Sequence, residues 1–148
     1  MRIKLEEPTH YFFSTQLKIR VSDLNYGNHL SNDRLLTFAH QARVEWLDSI
    51  GFSEMNFGGT GIIMTDAAVM YKSEGHLNDA LHIEVGLDDL GRSGFDLYYK
   101  ITNLSNSKEL ALIKTGILCF DYSSRKVCSI SEEALLKIKP LLDTQELF

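Results

Sequence analysis

Apolar and polar residues alternate over "LKIRVSD": Leu17, Ile19 and Val21 fall on one side of an extended chain, Lys18 and Arg20 on the other. This predicts a half-buried strand within Tyr11 to Asp23. The period then changes. Between Leu35 and Ile50 the spacing becomes helical, and Leu35, Phe38, Ala39, Ala42 and Trp46 make one stripe. Leu36, Leu47 and Ile50 add apolar surface beside it, which predicts a helix buried around much of its girth. Ser31 or Asn32 is placed to cap that helix and Gly51 to stop it.

The remaining pattern is mostly that of strands. "GIIMTDAAVMYK" (61–72) is nearly all apolar and reads as a central strand. "ALHIEVGLDDL" sets Leu81, Ile83 and Val85 against His82 and Glu84. "GFDLYYKITN" and "ELALIKTGILCFDY" follow, parted by the turn-like "GRSG" and "NLSNSK". A short helix from Ser131 to Ile138 is expected to end at Pro140. Four consecutive strands with hairpin-length connections pair antiparallel. The expected fold is therefore α+β, a five-stranded, mostly antiparallel sheet wrapped around one long central helix, with residues 1–148 as a single domain. One helix cannot cover both faces of such a sheet, so the leftover apolar surface favours a homo-oligomer.

Composition narrows the function. With 44% hydrophobic and 24% charged residues in 148, the chain has globular values. Its net charge is −5 and its basic residues are scattered singly, which argues against a nucleic-acid partner. Cys119 and Cys128 have neither zinc-site spacing nor the density of a disulfide framework, so no metal and a reducing, cytoplasmic setting are expected. The N-terminus, "MRIKLEEPTHYFF", is too charged for a signal peptide. No apolar run reaches the roughly 18 residues of a membrane span, so no membrane partner is expected.

Candidate chemistry concentrates in "SDLNYGNHLSND" (22–33), between the first strand and the long helix. Backbone N–H groups at a helix start are unpaired and favour negative charge, which suits a developing oxyanion. Gly27 would let the backbone approach a ligand, or simply provide a turn with positive φ. An imidazole such as that of His29 exchanges protons near neutral pH. Asp66 is the only acid of its apolar strand and must be paired, exposed at an edge, or functional.

These residues resemble a known family. In the thioesterases related to 4-hydroxybenzoyl-CoA thioesterase and the fatty acyl-ACP thioesterases, the first strand ends in a segment like Asp-x-Asp-x-x-x-His-Val-Asn-Asn. The helix that follows closes with Ala-Arg-x-Glu. Here Asp23 matches the first acid, Asn25 stands at the second, and His29, Leu30 and Asn32 match the rest. "QARVEWL" supplies Ala42, Arg43 and Glu45, of which the last two read as structural. "VMYKSEGHLNDAL" resembles the passage from the second strand to the third, with Asn78 in place of a glycine before Asp79. The likeness covers roughly Ile19 to Tyr122.

The resemblance implies a hotdog fold and hydrolysis of an acyl-CoA or acyl-carrier-protein thioester. It also implies dimers or tetramers with active sites at subunit boundaries, and no cofactor beyond the coenzyme A of the substrate. Gly27, Leu30 and Asn32 would line the thioester site. Arg92, in a turn resembling the nucleotide-contacting turn of these enzymes, and Lys72 would meet the coenzyme. The family's second acid is its base or nucleophile, and an amide at Asn25 cannot take that role. Asp23, His29 and Asp66 are the candidates to replace it. Two rival readings follow. "DLNYGNH" also resembles the Asp-x-Asn-Pro-x-His of (R)-specific enoyl-CoA hydratases, although His29 lies six residues after Asp23 rather than five. Asn25 also suits a hotdog protein that binds an acyl thioester without catalysis.

Overall fold

The structure, a computed structural model, describes residues 1–143. Its elements are β1 (Phe13–Lys18), a 3-10 turn (Val21–Asp23), α1 (Arg34–Ser49), β2 (Gly61–Tyr71), β3 (Ala80–Asp88), β4 (Gly94–Asn103), β5 (Lys108–Asp121), β6 (Lys126–Val127) and α2 (Glu132–Asp143). The sheet runs β1-β3-β4-β5-β2, all antiparallel, and β6 pairs with the end of β5. It therefore has six strands rather than the expected five. The sixth is a two-residue strand whose register, Phe120 with Val127 and Asp121 with Lys126, continues β5 past its turn.

α1 packs against β1, β3 and β5. Leu35, Phe38, Ala39, Ala42, Trp46 and Leu47 join Ile83, Val85, Leu97, Tyr99, Ile101 and Ile113 in one core. The helix is buried along this stripe and at Leu47, whereas Leu36 and Val44 remain 37% and 41% exposed. A sheet of this width closes over one side of the helix only, and those two residues sit on the other. Val21 is also exposed, because the chain leaves the strand after Lys18 and turns through the 3-10 segment.

Three boundaries differ from the pattern. Asp33, not Ser31 or Asn32, is the N-cap of α1; the Ser31 hydroxyl donates to the Asp33 carboxylate, and the Ser31 carbonyl accepts the Arg34 N–H. Gly51 stops the helix as expected, at φ +79. α2 passes through Pro140 to Asp143, since a proline near a helix end removes one main-chain bond without forbidding the last turn. Its start follows the sequence, with Ser131 Oγ accepting the Ala134 N–H at 3.1 Å.

Among the described residues β2 pairs with β5 alone, which makes it an edge strand and not a central one. Met64, Thr65, Asp66 and Ala67 are exposed along it. A continuous apolar run fits a strand buried on both faces, and fits equally an edge that another chain could cover.

Candidate active site

The 24–30 segment is a closed loop whose ends meet at a Leu24–Leu30 bridge. Asn25 organises it. Its Oδ1 accepts the N–H groups of Gly27 at 2.9 Å and His29 at 3.2 Å, while its own N–H donates to the His29 carbonyl at 2.8 Å. This is the local side-chain turn that Asn favours. The positive φ of the loop falls on Asn28 (+61), not on Gly27, whose N–H is held by Asn25 instead.

Beside this loop lies an open cleft of about 370 Å³, lined by Asn25, His29, Leu30, Asn32, Tyr71 and Lys72, among others. Leu35 of the first turn of α1 forms part of its wall, as do Ser73, Glu74 and Gly75 of the β2–β3 connection. The connection is fastened to the loop by the Leu30 N–H, which donates to the Gly75 carbonyl at 2.8 Å. Tyr71 donates its hydroxyl to the Asn32 carbonyl at 3.4 Å. Lys72 Nζ pairs with Glu109 at 3.1 Å.

The three candidate bases are not brought together. His29 lies in the cleft, with Nδ1 3.0 Å from Glu74 Oε2. Asp23 is fully buried and outside the cleft lining. One of its oxygens accepts the Arg20 N–H at 2.9 Å, and Arg34 Nε approaches the other at 3.9 Å. Asp66 sits at a β-bulge of β2, where its Oδ1 accepts from Lys114 Nζ at 2.8 Å and from the Gly116 N–H at 3.0 Å. The Lys114 hydrogen bond in particular holds that carboxyl below its usual range. Along β2, Asp66 is five residues from Tyr71 at the cleft, roughly 16 Å. Arg92 is also elsewhere, with its Nε donating to Ser129 Oγ at 3.0 Å.

Arg43 and Glu45 hold the helix in place. Arg43, almost fully buried, donates to Glu54 at 3.0 Å and to the Tyr99 hydroxyl at 2.9 Å, and Tyr99 in turn meets Thr115 at 2.8 Å. Glu45 accepts from Thr15 and Gln41.

Sequence reasoning passed over Glu74 and His76. Both are polar residues of a connection without periodicity, and only the fold sets them beside His29. One ligand atom from each of His29, Glu74 and His76 lies within 4.8 Å of the others, a set that could also hold a divalent cation.

The comparisons with known proteins agree on this architecture. In sequence, the chain is 27% identical over 130 residues to the long-chain acyl-CoA thioesterase FadM of Escherichia coli, covering 86% of this chain and 98% of that protein. In shape, it resembles Slr0204, a 1,4-dihydroxy-2-naphthoyl-CoA thioesterase from Synechocystis, with a TM-score of 0.79, 20% identity, and coverage of 87% of this chain and 96% of that one. The DHNA-CoA thioesterase of Staphylococcus aureus gives 0.78 at 18% identity, covering 89% and 93%. At such identities the likeness in shape speaks for the fold, the hotdog that the motifs implied. The model of the thioesterase-like superfamily matches residues 19–138, from the end of β1 into α2. The chain belongs to the thioesterase-like superfamily and is a hotdog-fold thioesterase.

Proposed function

We propose that the chain hydrolyses the thioester of an acyl-coenzyme A at the cleft beside the start of α1, with His29 taking the proton from the attacking water. The observation that carries this reading is the position of His29. Of the three candidate bases, it alone lines the cleft, and it is only 43% exposed at its side chain. The first turn of α1 adds N–H groups and a dipole suited to the carbonyl oxygen as it becomes negative. Leu30, Asn32 and Leu35 offer walls for the acyl chain and thioester, and Lys72 a cation near the mouth. FadM acts on long-chain acyl-CoA, which makes a fatty acyl group the first to try.

The test is release of free thiol from short, long and aromatic acyl-CoAs, followed with a thiol reagent. Steady release that falls by about 10²-fold or more in His29→Ala supports the reading. Saturable binding of acyl-CoA without release would overturn it. The superfamily match displaces the hydratase alternative.

We further propose that the protein assembles through β2 into a dimer or tetramer with its clefts near the subunit boundary. The open edge of β2, with Met64 49% and Tyr71 56% exposed, supports this. Tyr71 is also a cleft residue, so a copy seated on β2 would border the site.

A further inference from the structure

Position 25 lacks a carboxylate, but the fold delivers one to the same cleft from another element. We propose that Glu74 is a positioning residue that orients His29, so that a carboxylate–imidazole pair performs the proton transfer expected of an acid at position 25. The proposal rests on the hydrolase reading above.

The placement of Glu74 is built into the backbone. His29 and Glu74 are the immediate neighbours of Leu30 and Gly75, which share the 2.8 Å main-chain hydrogen bond. Gly75 makes that approach feasible. A Cβ there would stand 2.7 Å from Ile19 Cδ1 and 3.1 Å from Leu110 Cδ1, so the connection passes where a larger residue would push it outward. Beyond Gly75 the chain is clamped again. The His76 N–H donates to Asp79 Oδ2 at 3.0 Å, the Asp79 N–H donates back to the His76 carbonyl at 3.1 Å, and Asn103 Nδ2 anchors the same carboxylate at 2.8 Å. On the other side of Glu74 the Ser73 N–H donates to the Leu110 carbonyl at 3.2 Å, so the glutamate is held between Ser73 and Gly75, and its Oε2 reaches His29 Nδ1 at 3.0 Å.

The chemistry follows from which ring nitrogen is engaged. With Nδ1–H donating to Glu74, the lone pair lies on Nε2. Nε2 takes a proton from water as the water oxygen bonds to the thioester carbonyl carbon. The carbon–sulfur bond then breaks, and the proton passes from Nε2 to the departing thiolate. Water and thioester become acid and thiol, with nothing else consumed. In between, the imidazolium faces the Glu74 carboxylate, which stabilises it. Glu74 is 66% exposed and His29 43%, so in the free chain water competes for both groups. A substrate seated in the cleft displaces that water, so Glu74 should affect turnover rather than folding.

His76 stands beside the pair without joining it by a hydrogen bond. Its ring centroid is 5.1 Å from that of His29, yet its Nε2 is 4.0 Å from Glu74 Oε2, beyond hydrogen-bond length. The experiment compares thiol release by the native protein, Glu74→Gln and Glu74→Asp, with kcat and KM resolved, and uses His76→Ala with a chelator to detect a metal site. We expect Glu74→Gln to lower kcat about tenfold or more with KM within about twofold. Glu74→Asp, which keeps the charge on a shorter arm, should recover part of the loss. Native turnover in Glu74→Gln, or a loss carried wholly by KM, overturns the proposal. So does activity that a chelator removes, zinc restores and His76→Ala abolishes, because the three side chains would then act as metal ligands. If the native protein releases no thiol from any acyl-CoA, the hydrolase reading fails and this one with it. If it turns over but is indifferent to Glu74, only this proposal fails.

Discussion

Asn25 spends its side-chain oxygen on two backbone N–H groups, those of Gly27 and His29, and so shapes the loop that presents His29. An aspartate could do the same with one carboxylate oxygen and keep the other free. Asn25→Asp is therefore expected to preserve the loop and to leave thiol-release activity equal or higher. A collapse of activity in a folded Asn25→Asp protein would mean that the amide itself is required. Asp23, two residues earlier, illustrates a limit of motif reading. It matches the family pattern, yet its carboxylate is turned into the protein toward Arg20 and Arg34. The strand ends at Lys18 and Asp23 closes a 3-10 turn, so the two-residue alternation of a strand does not set Asp23 and Asn25 on one side.

Among the elements, α1 is tied to its surroundings by charge as well as by its apolar stripe. Burial alone would push the Glu54 carboxyl up. Hydrogen bonds from His40, at 2.7 Å, and from Arg43, at 3.0 Å, outweigh that and hold it below its ordinary value of 4.5. A carboxyl with a lowered folded-state pKa stabilises fully above its unfolded value and loses that contribution as pH falls through the folded one. The thermal midpoint should thus be insensitive to Glu54 ionisation near neutrality and decline below about pH 4.5. In Glu54→Gln the midpoint should be lower at neutral pH and its acid decline shallower. An identical acid profile in the two proteins, followed by circular dichroism, would rule this tether out.

The elements also show how much could be read in advance. The bounds of β4 coincide with "GFDLYYKITN" because Leu97, Tyr99 and Ile101 alternate into the core between two clear turns. β2 was legible as a strand but not as an edge, since its apolar run carries no record of how many neighbours cover it. His29 could be found in the sequence because an imidazole in a polar interval before a helix is conspicuous. Glu74 could not. An exposed glutamate in a connection has no pattern of its own, and it gains meaning only when Gly75 docks against Leu30.

At the scale of the molecule, the described residues of a single copy leave the outer edge of β2 unpaired and one side of α1 open at Leu36 and Val44. An exposed edge strand carrying apolar side chains tends to be covered. Sedimentation at micromolar concentration should give a mass of at least twice 16.8 kDa. A monomer that retained full activity would remove the subunit boundary from the account of the site.

The proposed hydrolysis of acyl-CoA at the cleft turns on His29. Thiol release from long-chain acyl-CoA by the native protein and by His29→Ala, both checked for fold by circular dichroism, tests it most directly. Turnover by the native protein and a loss of about 10²-fold or more in the variant are expected. Equal rates in the two proteins, or no release by the native protein across the acyl panel, would contradict it.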